Sequence, residues 1–182
     1  MKKTKNNKQP DKLTELLNSP RTVIIVLIIL CACLLLALFK VKNNHQFYTG
    51  QINTDDFGVA EVHYYSDDLV TYFFANAAVY GGENKDIYDI EIKYYVDIDG
   101  KENIIDDLYK KFDKKQSLQE MITMYTKTNI VDLKNQSKLI FTKDMKKNIK
   151  NTKLVITAST TKDLNKDIVL KYDVNLNKVN KW

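Results

Sequence analysis

The sequence predicts an α+β fold, in which a single N-terminal transmembrane helix precedes one extracytoplasmic domain built from an antiparallel sheet and two central helices. Three observations lead there. Residues 23–39, from Val23 to Phe39, form an apolar run without a charge. Beyond it, several segments alternate apolar with polar side chains, as strands with one buried face do. Between those segments, apolar residues within 102–125 recur at spacings of three and four, which reads as helix.

As a helix the apolar run rises about 26 Å, and snorkelling of the flanking Arg21 and Lys40 extends it to about the thickness of a hydrocarbon core. A buried soluble helix of this kind needs protein on every side, more than the rest of the chain supplies. Lys2, Lys3, Lys5, Lys8, Lys12 and Arg21 precede the run against Asp11 and Glu15, while only Lys40 and Lys42 follow it before Asp55. The positive-inside rule therefore predicts a cytoplasmic N-terminus and an extracellular C-terminal domain at the cell membrane. The expected organisation is a basic cytoplasmic tail at 1–21, the transmembrane helix at 22–40, a stalk at 41–46 and an α+β domain at 47–182.

Cys31 and Cys33 lie inside the run and loosely resemble a lipidation site. Six apolar residues still follow Cys33, where a lipoprotein turns polar at once, so a retained anchor is the better reading. They are the only cysteines, which leaves the outer domain without disulfide or thiol chemistry. Of the 28 basic residues Arg21 is the one arginine; the rest are lysine. That composition points to a Gram-positive cell envelope and away from nucleic acid, which favours arginine forks.

In the outer domain the clearest strand is 89–98, where Ile90, Ile92, Tyr94, Val96 and Ile98 alternate with Asp89, Glu91, Lys93, Tyr95 and Asp97. Residues 59–65 and 69–80 are β-branched and aromatic on either side of Ser66-Asp67-Asp68, a hairpin signal. After Asp99-Gly100, the spacing of Ile104, Ile105, Leu108 and Phe112 predicts the first central helix over 102–112. Ser117 and Glu120 form a capping box that opens the second, to about Tyr125. Strands at 137–142, 154–160 and 168–176 follow, with a lysine-rich turn or helix at 144–151 between the first two.

Charge is uneven: residues 43–107 carry 3 lysines and 14 acids, residues 108–182 carry 17 lysines and 7 acids. Either the two halves attract one another within the fold, or they leave a dipolar surface for a charged partner.

No arrangement of residues points to catalysis, and neither a cofactor nor a metal site is predicted. Ser159 and Lys162 match an S-x-x-K pattern but sit at the end of a predicted strand, where the lysine cannot stand beside the serine as on a helix. Asp97, Asp99 and Asp106 resemble part of a calcium loop, with Tyr95 in place of its first ligand. His45 and His63 lack a partner set for zinc or a triad. What stands out is aromatic: Tyr64, Tyr65, Tyr72, Phe73, Phe74, Tyr80, Tyr88, Tyr94 and Tyr95 crowd one stretch, and adjacent rings on a strand point to opposite faces. One set packs the core; the other is either covered by helices or offered as a tyrosine-rich contact surface, with Tyr65, Tyr72, Asp67 and Asp68 as the candidate partner-binding residues.

In layout the chain is similar to scaffold subunits of conjugation machines, but those place helices before the sheet and here strands come first, so no family is assigned. The expected function is that of a membrane-anchored protein-interaction module, a non-enzymatic accessory or scaffold subunit of a Gram-positive envelope, secretion or conjugation-type assembly. Its partners would be the membrane and other envelope proteins. The alternative is a membrane-tethered immunity protein whose partner is a toxin domain.

Overall fold

The computed structural model describes residues 19–52, 54–67, 69–76, 79–133 and 140–179. The chain divides between Asn43 and Asn44 into two compact units. Apart from Ser19, the described part of the first is helix, which runs over Pro20–Asn44 and so ends on the first residue of the second. The helical stretch Pro20–Lys40 reaches a mean hydropathy of 3.3 and has no residue buried in protein. A helix this long and apolar can cross a membrane, as an anchor or as a signal sequence. The predicted tail lies outside the described residues up to position 18, and the stalk is shorter than expected, because helix persists to Asn44 and sheet begins at Gln46.

The second unit is one antiparallel sheet with short helices on one face. Its strands are β1 (Gln46–Ile52), β2 (Glu61–Ser66), β3 (Val70–Ala75), β4 (Asp86–Ile98), β5 (Lys101–Ser117), β6 (Thr128–Leu133), β7 (Thr152–Ser159) and β8 (Ile168–Lys178). They pair in the order β5-β4-β7-β8-β1-β2-β3-β6. The edge strands approach one another where Thr128 Oγ1 donates to Asp106 Oδ2 at 2.7 Å.

The first predicted central helix is a strand, β5. Asp99 and Gly100 have φ of 51° and 78°, the left-handed pair of a two-residue hairpin turn, which lays the chain straight back on β4. The helix-like spacing came from a bulge. Opposite Tyr94 and Tyr95 the register moves from Asp106 to Ile104, and the extra residue, Ile105, is buried. A strand whose period slips by one there places buried Ile105 three residues before half-buried Leu108, and plain alternation keeps Phe112 inward four residues later. Ile104, counted to the helix's apolar side, is exposed.

The second predicted helix is present at Leu118–Tyr125. Ser117 Oγ accepts the Glu120 amide at 3.3 Å and donates to Asn84 Oδ1 at 2.9 Å. Leu118 and Ile122 point into the core. A short helix, Lys143–Lys147, and a 3₁₀ turn, Ile149–Asn151, fall where the lysine-rich turn was expected. The strand expected at 137–142 lies outside the described residues up to position 139, and Phe141 and Thr142 after it form a bend and a helix cap. β1 and β6 were not anticipated.

Every strand but β5 and β6 contributes alternate apolar residues to one core: Tyr48 and Ile52, Val62 and Tyr64, Phe73 and Ala75, Ile90 to Val96, Leu154 to Ala158, Val174 and Leu176. Phe141, Met145, Ile149, Leu118 and Ile122 cover that face. The acidic and basic halves of the sequence interleave, because β7 and β8 insert between β4 and β1. Lys153 reaches Asp97 at 3.4 Å and Lys166 reaches Asp89 at 2.8 Å across the two halves. Asp97 Oδ1 also accepts the Gly100 amide at 3.0 Å, so this aspartate serves the hairpin turn. Among the described residues no group of three His, Cys, Asp or Glu side chains is placed to hold a metal ion.

Candidate functional site

The sheet face opposite the core is the candidate site. Alternation decides its membership: in β2 Val62, Tyr64 and Ser66 turn inward, so His63 and Tyr65 turn outward; in β3 Thr71, Phe73 and Ala75 turn inward, so Tyr72 and Phe74 turn outward. On β1, Phe47 shares the outer face. Pairing sets Phe47 against Tyr65, Tyr65 against Tyr72 and His63 against Phe74.

The rings form a continuous line. Phe47 and His63 lie 6.3 Å apart at 11°, His63 and Phe74 6.0 Å apart at 23°, and Phe74 and Tyr72 6.2 Å apart at 9°. These are offset, near-parallel arrangements of the kind aromatic pairs favour. Val131 of the edge strand extends the line beside Tyr72 and is half exposed. The Tyr72 hydroxyl donates to Asn129 Oδ1 at 2.8 Å.

At the other end Tyr65 is tied to the β2–β3 turn. Its hydroxyl donates to Asp67 Oδ2 at 2.8 Å and lies 3.1 Å from His45 Nδ1. Asp67 Oδ1 accepts the Leu69 and Val70 amides, each at 2.7 Å, so this carboxylate shapes the turn. Burial opposes its charge, but those amides and the Tyr65 hydroxyl outweigh it and hold Asp67 below the usual carboxylate range. The bond to Asp67 in turn pushes the Tyr65 hydroxyl up.

Beside the aromatic line runs a shallow, open groove of about 390 Å³ lined by Thr49, Gly50, Gln51, Glu61, His63, Asn175 and Asn177. His63 Nε2 and Glu61 Oε2 stand 3.8 Å apart in it. Gly50 is required there, because a Cβ would overlap the Asn175 carbonyl of β8. The face thus offers ring surface, amides, a carboxylate and a histidine: contact area with hydrogen-bonding capacity at its margins.

Of the four residues singled out in the sequence, Tyr65 and Tyr72 come together as cross-strand neighbours on this face and Asp67 braces the turn beside them. Asp68 lies outside the described residues. Tyr64, Phe73 and Tyr94 belong to the core instead, and burial pushes the Tyr64 hydroxyl up to about 12. Sequence reasoning missed Phe47 and the part played by His63. The signal for His63 was its two-residue offset from Tyr65; Phe47 gave none without β1.

No family model matches this chain, and neither the curated proteins nor the solved structures contain a match.

Proposed function

We propose that this chain is a membrane-tethered protein-interaction module that docks a partner protein on the outer sheet face at Phe47, His63, Tyr65, Tyr72 and Phe74, as an accessory subunit of a Gram-positive envelope assembly. One observation carries the reading: aromatic rings, each partly exposed, stand in line on the face turned away from the core. Rigid rings supply contact area at low entropic cost. Glu61 and Asp67 at the margins favour a partner segment carrying lysine or arginine, whose guanidinium also stacks on rings. The excess of positive charge before the apolar helix supports a cytoplasmic N-terminus and an outward-facing domain.

The test is capture of cross-linked partners by the full chain after mild detergent extraction. Several envelope proteins are expected with the natural chain. Tyr72→Ala, in which one exposed-face ring is lost, should cost about 2 kcal/mol of binding with cooperative melting preserved. Capture that ignores Tyr72→Ala would overturn the docking face, and recovery of one toxin domain in place of several subunits would favour tethered immunity. Protease added to protoplasts should remove the domain beyond Lys40; its protection would reverse the topology.

A further inference from the structure

Far along the sheet order from the aromatic line, β5 carries the four residues 112–115 opposite a single residue of β4, Tyr88: pairing passes from Asp89 with Lys111 to Ile87 with Gln116. A bulge of this kind re-aims side chains. Here it brings Lys115 Nζ to 5.8 Å from the centre of the Tyr88 ring. The β7–β8 connection brings Lys162 Nζ to 5.8 Å from the same centre, so the two ammonium groups lie no farther apart than twice that distance.

The connection is held in place. Lys166 donates to the buried Asp89 carboxylate at 2.8 Å and covers the Tyr109 ring at 4.9 Å. Asp167 accepts the Thr160 amide at 2.8 Å and also bonds its hydroxyl. Asp89 therefore balances Lys166, whereas neither Lys115 nor Lys162 pairs with a carboxylate among the described residues. Two cations unpaired at one ring repel each other, and a bound anion relieves that cost. A phosphate suits the pair: it carries several acceptor oxygens, and lysine binds phosphate as a point charge.

We propose that Lys115 and Lys162 form, at the Tyr88 ring, a binding site for a phosphate or phosphodiester group. Such a group can come from free phosphate, from a glycerol phosphate polymer or from an anionic lipid headgroup. The full chain in a neutral detergent is titrated with inorganic phosphate and with a short poly(glycerol phosphate) by calorimetry at low salt. In parallel, the chain in phosphatidylcholine nanodiscs with and without phosphatidylglycerol is probed for protection of Lys115 and Lys162 from amine acylation. Saturable binding or protection in an arm supports the site, and the arm with the strongest effect identifies the source.

Lys115→Gln and Lys162→Gln should each weaken binding about tenfold, the scale of one lost charge-assisted hydrogen bond. Lys150→Gln, which removes the same charge from the 3₁₀ turn, should leave it within about twofold of the natural chain. Two outcomes overturn the proposal: no saturable effect with any probe, or an equal loss in Lys150→Gln, which would mean diffuse attraction to a basic protein. Unchanged melting of the two glutamine variants separates lost binding from lost fold.

Discussion

Replacing Lys166 with methionine tests how the β7–β8 connection is fastened to the sheet. The Asp89 side chain is 1% exposed, and its Oδ2 takes bonds from Lys166 at 2.8 Å and from the Tyr109 hydroxyl at 3.2 Å. Burial alone would raise its pKa, but the Lys166 hydrogen bond, the nearby Ser159 hydroxyl, the Lys166 charge and the Tyr109 hydroxyl outweigh it, so Asp89 titrates below its ordinary value. Lys166→Met keeps most of the stem's packing and leaves a buried carboxylate with tyrosine as its remaining strong donor. Removing one partner of a buried pair costs about 3–5 kcal/mol, and the one-third exposure of Lys166 places this case near the lower end, about 3 kcal/mol or roughly 10 °C in a domain of this size.

The pH dependence has a definite sign. A depressed folded-state pKa means that Asp89 contributes stability above the unfolded carboxylate pKa, and the natural chain loses that contribution as pH falls through the folded value. In Lys166→Met burial prevails and the Asp89 pKa rises, so the variant's deficit is largest near neutrality and shrinks in acid as the carboxyl protonates. Urea unfolding of the full chain in detergent, followed by near-ultraviolet circular dichroism at neutral pH and near pH 4, measures both quantities. Asp89→Leu combined with Lys166→Met should recover most of the loss, since a packed apolar pair leaves no buried charge. A deficit under about 0.5 kcal/mol at neutrality, or one equally large near pH 4, would refute the reasoning.

Further expectations concern single elements. Ser117→Ala removes the cap of the Leu118–Tyr125 helix and its bond to Asn84, and should cost about 1 kcal/mol in the same unfolding measurement. Gly50→Ala forces β1 away from the Asn175 carbonyl and should cost about 1–3 kcal/mol, with faster amide exchange at β1 and β8 as its local signature. Phe73→Ala and Phe74→Ala separate the two sheet faces. Fully buried Phe73 should lose about 3–5 kcal/mol, while half-buried Phe74 should lose less than half as much.

Local order was legible in the sequence and long-range order was not. The apolar helix follows from composition alone, since an uncharged run of that length satisfies its own backbone and needs no tertiary partner to be read. The β2–β3 hairpin, β4, β7, β8 and the Leu118–Tyr125 helix each carry their signal within a few residues: alternation, an Asp67 turn, a Ser117 cap. Alternation likewise fixed that Tyr64 and Tyr65 oppose each other, but not which of them faces the core. Packing of Phe141 against Tyr64 and Phe73 decided that, from a segment well over sixty residues downstream. β5 was misread because a bulge at Ile105 followed by plain alternation imitates a helical period, and only pairing with β4 through the Asp99-Gly100 turn reveals a strand. The sheet order, with β7 and β8 inserted between β4 and β1, brought together pairs no short window contains: Lys166 with Asp89 across 77 positions, and Lys115 with Lys162 at one tyrosine. A chain's near neighbours reveal which faces and turns it can make, whereas contacts between distant segments depend on which closed arrangement buries the most apolar surface at once.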